Sequence, residues 1–172
     1  MSARRAAAPL TDDEEAAMGP FYPWFLFLHV TGAFWLAAGV FASAVVRAQA
    51  RRATGAAERA LATALLWRLH VIYTLPGLLV AGFVGFYLVS AGGFRFGDTW
   101  VLAAAFLYLL MFLSTLFVVT PGLSRQRAAA RAAAAADAGA AAGTPLPKLP
   151  GIFSDINALL ILVLACLMVV KP

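Results

Sequence analysis

Residues that build metal and redox sites are scarce in this sequence. Cys166 is the only cysteine, and it lies in an apolar run, where it is interpreted as a small buried or lipid-facing residue. One cysteine excludes an intramolecular disulfide and a CxxC motif. His29 and His70 are the only histidines. The sequence therefore predicts no metal site and no catalytic residue.

Charge is scarce as well. Only 12% of the residues are charged, whereas 63% are hydrophobic, which is well above the roughly half-apolar composition of a soluble domain. A water-soluble fold of 172 residues could not bury so much apolar surface. The composition therefore indicates a membrane protein.

The formal net charge of +5 does not by itself indicate a nucleic-acid partner. Nucleic-acid binders gather basic residues on an exposed surface, together with aromatic residues that stack on bases. Here the aromatic residues lie inside the apolar stretches and the basic residues lie between them. That alternation is typical of membrane topology, and no nucleic-acid partner is predicted.

Apolar stretches long enough to cross a bilayer follow one another along the chain. About 20 helical residues, each rising about 1.5 Å, span a hydrocarbon layer of roughly 30 Å. The predicted spans are residues 24–46, 66–89, 100–119 and 152–170. The predicted fold class is all-α, a polytopic membrane protein with a four-helix transmembrane bundle at 23–172. The tail at 1–22 is expected to hold a short surface helix, starting at a Thr11–Glu14 capping box.

Alanine-rich sequence follows the third span, and its high helix propensity predicts that this helix continues beyond the membrane. No pair of spans is expected to carry matched glycine and proline breaks. An inverted repeat of the kind found in transporters is therefore not predicted.

Basic residues indicate the orientation in the membrane. Nine of the thirteen lysines and arginines follow the first or the third span, namely Arg47, Arg51, Arg52, Arg59, Arg68, Arg125, Arg127, Arg131 and Lys148. By the positive-inside rule these loops are cytoplasmic, which places both termini outside. The predicted location is the bacterial cytoplasmic (inner) membrane.

Small residues recur at every fourth position of the second span, as Gly77, Ala81 and Gly85. This spacing allows another helix to approach the backbone closely. The three residues are predicted to form a packing face, either within the bundle or against a partner protein.

Polar residues of the second, third and fourth spans are predicted at similar depth near the cytoplasmic side. This inner polar cluster comprises Arg68, His70, Ser114, Thr115, Asp155 and Asn157. Arg68 is expected to pair with Asp155, because ionisable groups within a membrane are unfavourable unless they are paired or hydrated. The cluster is interpreted either as an interfacial ion pair with a snorkelling arginine or as a proton or substrate relay.

The two histidines raise the hypothesis of a b-type haem, for which imidazole is a usual axial ligand. They are counted from opposite interfaces and differ in depth by roughly 15 Å. Two ligands of one iron must share a level, since each metal–nitrogen bond is only about 2 Å long. His29 is therefore either a single haem ligand, with Gly32 leaving room for a flat ring, or a hydrogen-bonding core residue.

Short motifs carry a resemblance to a known family. They are Leu28-His29-Val30 with Trp35 and Gly39, then Tyr73-Thr74-Leu75-Pro76-Gly77, then Trp100, and the C-terminal residues 167–172. The chain resembles an uncharacterised bacterial family of predicted integral membrane proteins with four helices. That family is distantly similar to the copper-resistance protein D and HemJ-type protoporphyrinogen oxidase groups, which share a histidine in the first span. The resemblance implies a haem or porphyrin link through His29.

The leading hypothesis is a non-catalytic accessory or structural subunit of a membrane complex, because few polar residues lie within the spans. One alternative is a haem- or porphyrin-linked redox protein that uses His29, with haem b as its cofactor. Another is a small transporter that uses Arg68, His70 and Asp155. The expected partners are the lipid bilayer and either other membrane subunits or a second copy of the chain.

Overall fold

The structure, a computed structural model, describes residues 19–136 and 148–170. The surface helix expected in the N-terminal tail lies outside the described residues. All regular elements in the two described ranges are helical. They run in the order α1 (Tyr22–Ala50), α2 (Ala56–Leu69), a π-helical segment (His70–Thr74), α3 (Leu75–Ala91), α4 (Thr99–Ser114), a second π-helical segment (Thr115–Val119), α5 (Thr120–Ala135) and α6 (Lys148–Val170).

These elements join into four long helices, which we call spans one to four. Span one is α1, span two is Ala56–Ala91, span three is Thr99–Ala135 and span four is α6. Each is long and apolar enough to cross a membrane. The prediction of an all-α, four-helix membrane bundle is confirmed.

The core of the bundle contains side chains from every span. Its buried apolar residues are Leu36, Val40, Leu78, Ala104, Met111 and Leu164. Large apolar side chains also cover the outside, as at Phe34, Phe83 and Phe106. In water such a surface would be unfavourable, whereas in lipid it contacts hydrocarbon.

Spans two and three are longer than a bilayer requires. With 36 and 37 residues, each is about 55 Å long, against a hydrocarbon thickness of roughly 30 Å. Their excess lengths, α2 and α5, pack against each other, with Leu66, Val119 and Leu123 in a second small core. The prediction that the third helix continues into the alanine-rich sequence is confirmed.

Each of these two long helices contains one π-helical segment, and both segments precede the same tripeptide. Pro76-Gly77-Leu78 follows the first and Pro121-Gly122-Leu123 follows the second, in each case after one intervening residue. Proline has no N–H and collides with the preceding turn of an α-helix, and a π-helical turn relieves that conflict. The expectation that no spans carry matched breaks was therefore wrong.

Proline also leaves a carbonyl group to be satisfied, and span one supplies a donor for it. Pro76 cannot donate the α-helical hydrogen bond to the Ile72 carbonyl, four residues earlier. The indole Nε1 of Trp35 donates to that carbonyl instead, at 2.8 Å. A side chain of one span thus completes the backbone hydrogen bonding of another, as membrane helices broken by proline require.

Candidate functional site

A network of polar side chains occupies the interior of the bundle, on the side of the arginine-rich loops. We call it the inner network, and it comprises His70, Ser114, Thr115, Thr120 and Asn157. Its centre is Asn157 of span four, which is only 4% exposed. The Asn157 side chain accepts a hydrogen bond from the Ser114 hydroxyl at 2.8 Å and donates one to the Thr115 hydroxyl at 3.0 Å. Spans three and four are therefore joined by two polar contacts inside an apolar bundle.

The second part of the network reaches span two through the π-helical segment Thr115–Val119. Its turn brings the Thr120 side chain back to the Thr115 carbonyl, to which the Thr120 hydroxyl donates at 2.8 Å. The hydroxyl oxygen of Thr120 lies 2.8 Å from Nε2 of His70, which is 2% exposed. Since the hydroxyl hydrogen goes to the carbonyl, Nε2 of His70 carries the ring hydrogen in this arrangement.

An ion pair joins span one to the first turns of span four. Nη2 of Arg47 lies 2.6 Å from Oδ1 of Asp155, and Nη1 donates to the Ser154 hydroxyl at 2.7 Å. The Arg47 side chain is 10% exposed, whereas that of Asp155 is 55% exposed. Nε of Arg47 is buried and has no hydrogen-bond partner in the described part of the chain.

The expected pairing of Arg68 with Asp155 was wrong. Arg68 is exposed on the outer side of α2, and Asp155 bonds to Arg47. His70 bonds to Thr120 rather than to either charged residue. Arg68, His70 and Asp155 therefore form no common site, whereas His70, Ser114, Thr115 and Asn157 do belong to one network.

Three residues of this region escaped the sequence analysis: Arg47, Thr120 and Ser154. Arg47 was interpreted only as one of the basic residues that indicate the orientation in the membrane. A helical pattern could have identified it, because Leu36, Val40, Ser43 and Arg47 recur at intervals of four, three and four residues, and all are buried. Such spacing indicates one helix face that points into the bundle.

The predicted packing face of Gly77, Ala81 and Gly85 lies against span one. A Cβ atom on Gly77 would collide with the backbone of Leu36, and one on Gly85 would lie 3.0 Å from Cε1 of His29. Close approach of the two backbones explains why small residues recur on this side of span two.

His29 lies at the same contact. Its Nδ1 is 2.8 Å from the carbonyl oxygen of Ala81. A carbonyl only accepts hydrogen bonds, so Nδ1 carries the hydrogen and Nε2 carries the lone pair of the neutral ring. The expectation that Gly32 leaves room for a flat ring was wrong, because a Cβ there would lie 2.8 Å from Cγ1 of Val80. Span two fills that space.

The two histidines lie far apart along span two. His29 contacts Ala81, which follows His70 by eleven residues on the same long helix. At about 1.5 Å per residue the separation along the axis is about 16 Å. This geometry agrees with the expectation that one haem iron cannot bind both rings.

The chemistry available to the inner network is that of neutral hydrogen-bonding groups beside one ion pair. Within the described residues no three His, Cys, Asp or Glu side chains are grouped so that they could hold a metal ion. The network can exchange hydrogen bonds among spans two, three and four, and the Arg47–Asp155 pair adds span one.

Comparison with known proteins identifies a family. A family model described as a predicted integral membrane protein, DUF2269, matches residues 24–172. This range contains all but the first two residues of span one, the whole of the other three spans and the whole inner network. No curated protein and no solved structure matches the chain. Because the matched range covers most of the sequence, the chain belongs to the DUF2269 family of predicted integral membrane proteins.

Proposed function

We propose that this protein is a non-catalytic accessory or structural subunit of a membrane complex. The observation that carries the proposal is the mutual satisfaction of its intramembrane polar groups. Asn157, Ser114 and Thr115 are buried and bond to one another between spans three and four, and the buried His70 of span two bonds to Thr120 of span three. Groups used in this way hold helices in a fixed arrangement and are not open to a substrate.

The energetics of a membrane interior support this role. Unsatisfied polar groups there are unfavourable by several kcal/mol, so helices that share such hydrogen bonds resist separation. Each interhelical bond contributes about 0.6 kcal/mol on average in measured membrane proteins. The inner network, the Arg47–Asp155 pair and the His29–Ala81 contact together join all four spans. A bundle held in this way presents constant outer surfaces to partner subunits.

The same proposal includes the placement of the chain. Arginines after spans one and three favour an orientation with the arginine-rich loops in the cytoplasm and both termini outside. The resemblance to a bacterial family favours the bacterial cytoplasmic (inner) membrane. The membrane domain then corresponds to 23–172, preceded by a tail at 1–22. The partners are the lipid bilayer and other membrane subunits or a second copy of the chain.

The proposal is tested by crosslinking in intact membranes, followed by purification of the tagged protein in mild detergent. We expect one membrane protein to co-purify at a constant ratio, and the reciprocal purification with that protein tagged to return this chain. A monomer that moves protons or ions across proteoliposomes, with transport lost on Asn157→Leu, would contradict the proposal and favour a relay.

One observation favours a second candidate function, a haem-linked role through His29. Histidines that bind metals usually donate the hydrogen of their other ring nitrogen to a carbonyl or carboxylate, which fixes the ring. His29 has this arrangement, with Nδ1 bonded to Ala81 and Nε2 left with its lone pair. The resemblance to the copper-resistance protein D and HemJ-type groups points the same way. A visible absorption spectrum of the purified protein distinguishes this candidate from the first.

A further inference from the structure

We propose that Arg68 and Arg127, on either side of Trp67, bind the phosphate group of an anionic phospholipid. The inference concerns the outer side of the α2–α5 helix pair and does not depend on the proposed function. We call these three residues the arginine–tryptophan site.

Trp67 and Arg127 contact each other across the α2–α5 helix pair. Cζ of Arg127 lies 5.8 Å from the centre of the Trp67 ring, in a cation–π contact between α5 and α2. Trp67 is half-buried and packs against the small core of Leu66, Val119 and Leu123. Arg68, the next residue along α2, is exposed and lies about 100° further round the helix, on the outer side of the tryptophan.

The side chains of Arg68 and Arg127 tilt in opposite directions along the bundle. Side chains of an α-helix tilt toward its N-terminus. The helices α2 and α5 run in opposite directions, so Arg68 extends away from the bilayer whereas Arg127 reaches back toward it. Arg127 begins seven residues beyond the His70–Thr120 contact, and Arg68 only two residues beyond it. The opposite tilts therefore bring the two guanidinium groups to similar depth.

Within residues 19–136 and 148–170, neither arginine has a carboxylate partner. No hydrogen bond or ion pair joins Arg68 or Arg127 to any of the described residues, and Nε of Arg127 is buried without a partner. The three carboxylates among the described residues are engaged elsewhere: Asp155 bonds to Arg47, Glu58 accepts from the Thr54 backbone, and Asp98 accepts from the Arg95 backbone. Two guanidinium groups with free donors suit a phosphate, which they can bind in a bidentate manner.

The arginine–tryptophan site is expected at the depth of the lipid head groups. Trp67 lies where the apolar sequence of span two gives way to charged residues, and tryptophan is enriched at the interface between hydrocarbon and head groups. Lipid phosphates occupy this level. An anionic phospholipid therefore carries its negative charge at the depth of the site. A soluble phosphate compound is not held at that depth.

The test measures lipid binding by the full-length protein. Native mass spectrometry of the purified chain, incubated with equimolar phosphatidylglycerol and phosphatidylcholine, gives the ratio of the two bound lipids. We expect wild type to prefer phosphatidylglycerol. Arg127→Ala and Arg68→Ala should each lower this preference about fivefold, the effect of one basic residue at an anionic surface.

Arg125→Ala is the matched control, because it removes the same charge from the same helix turn. Arg125 lies two residues from Arg127 and about 200° round the helix, on the opposite side of α5. We expect this variant to keep the wild-type preference. Equal losses in Arg125→Ala and Arg127→Ala would overturn the proposal in favour of diffuse charge attraction, and so would a wild type without preference. If Arg127→Ala does not fold, the exposed Arg68→Ala decides the outcome.

Discussion

Arg47 and Arg68 show that surroundings decide what a residue type does in this bundle. Both were counted as basic residues of one loop, yet Arg47 is buried beside Asp155 and Ser154 whereas Arg68 is exposed. The difference follows from the helix faces on which they lie. Arg47 continues the buried face of span one, and Arg68 lies on the side of α2 that faces away from the bundle.

Asp155→Asn tests the ion pair that the structure contains. The Asp155 side chain is 55% exposed, so we expect destabilisation of only about 0–1 kcal/mol, the range for solvent-screened pairs. Arg68→Ala should have no effect on stability, because no ion pair is lost. Unfolding by sodium dodecyl sulfate, followed by circular dichroism, measures both. A loss in Arg68→Ala that disappears when combined with Asp155→Asn would instead restore the Arg68–Asp155 pairing.

The two histidines differ in the same way, and a spectrum distinguishes their roles. If the purified protein carries a haem, His29→Ala should abolish the Soret band because Nε2 of His29 is the nitrogen with an available lone pair. His70→Ala should keep the band, since the two rings are about 16 Å apart along the helix axis. Loss of the band in both folded variants would contradict this geometry. Absence of a Soret band in the wild-type protein would contradict the haem-linked candidate and favour the accessory-subunit proposal.

At the scale of the helix, the two π-helical segments are the most informative elements. Each places a polar side chain where a regular α-helix would not. His70 begins the first segment and Thr120 directly follows the second, and they meet at 2.8 Å. The matched Pro-Gly-Leu sequences thus accompany a polar contact between spans two and three. Such π-helical turns are frequently associated with functional sites.

The Trp35–Ile72 hydrogen bond provides a test of this element. Trp35→Phe removes the donor that serves the carbonyl left by Pro76, and we expect destabilisation of about 1 kcal/mol, the usual net value of one hydrogen bond. In a Pro76→Ala background the helix can supply its own N–H, so the same substitution should have a smaller effect. A double-mutant cycle of unfolding free energies gives the difference. Equal effects in both backgrounds would show that Trp35 acts through packing alone.

At the scale of the whole molecule, charge is distributed unequally between the two ends of the bundle. Spans two and three extend together as the α2–α5 pair at the end that carries most of the arginines. At the opposite end, within the described residues, a short connection between Ala91 and Thr99 joins spans two and three, with Arg95 and Asp98 linked through a backbone-to-carboxylate hydrogen bond. This asymmetry is what the positive-inside rule interprets as orientation.

Orientation is measurable with reporter fusions. An alkaline phosphatase fused after the C-terminal residue 172 should be active, because that end is expected outside. A fluorescent protein inserted near Ala135 should fluoresce, because the arginine-rich end is expected in the cytoplasm. Replacing Arg51, Arg52 and Arg59 by glutamine serves as a control, since removal of loop charge should weaken the preference. The reverse pattern in the unaltered chain would overturn the proposed orientation.

Much of the fold was predictable because membrane helices depend on local properties. In lipid each helix satisfies its own backbone hydrogen bonds, so length and hydropathy suffice to identify a span. The small residues Gly77, Ala81 and Gly85 were also identified, since their spacing alone indicates close packing. Four of the six predicted members of the inner polar cluster do belong to the network: His70, Ser114, Thr115 and Asn157.

The sequence by itself determined the four membrane helices and the presence of a few polar residues within them. Only the tertiary structure decided which polar groups meet: Arg47 rather than Arg68 with Asp155, and Thr120 with His70. The reason is rotational. Successive residues of a helix point about 100° apart, and hydropathy does not specify which face of an all-apolar helix turns inward. Packing against neighbouring spans sets that rotation.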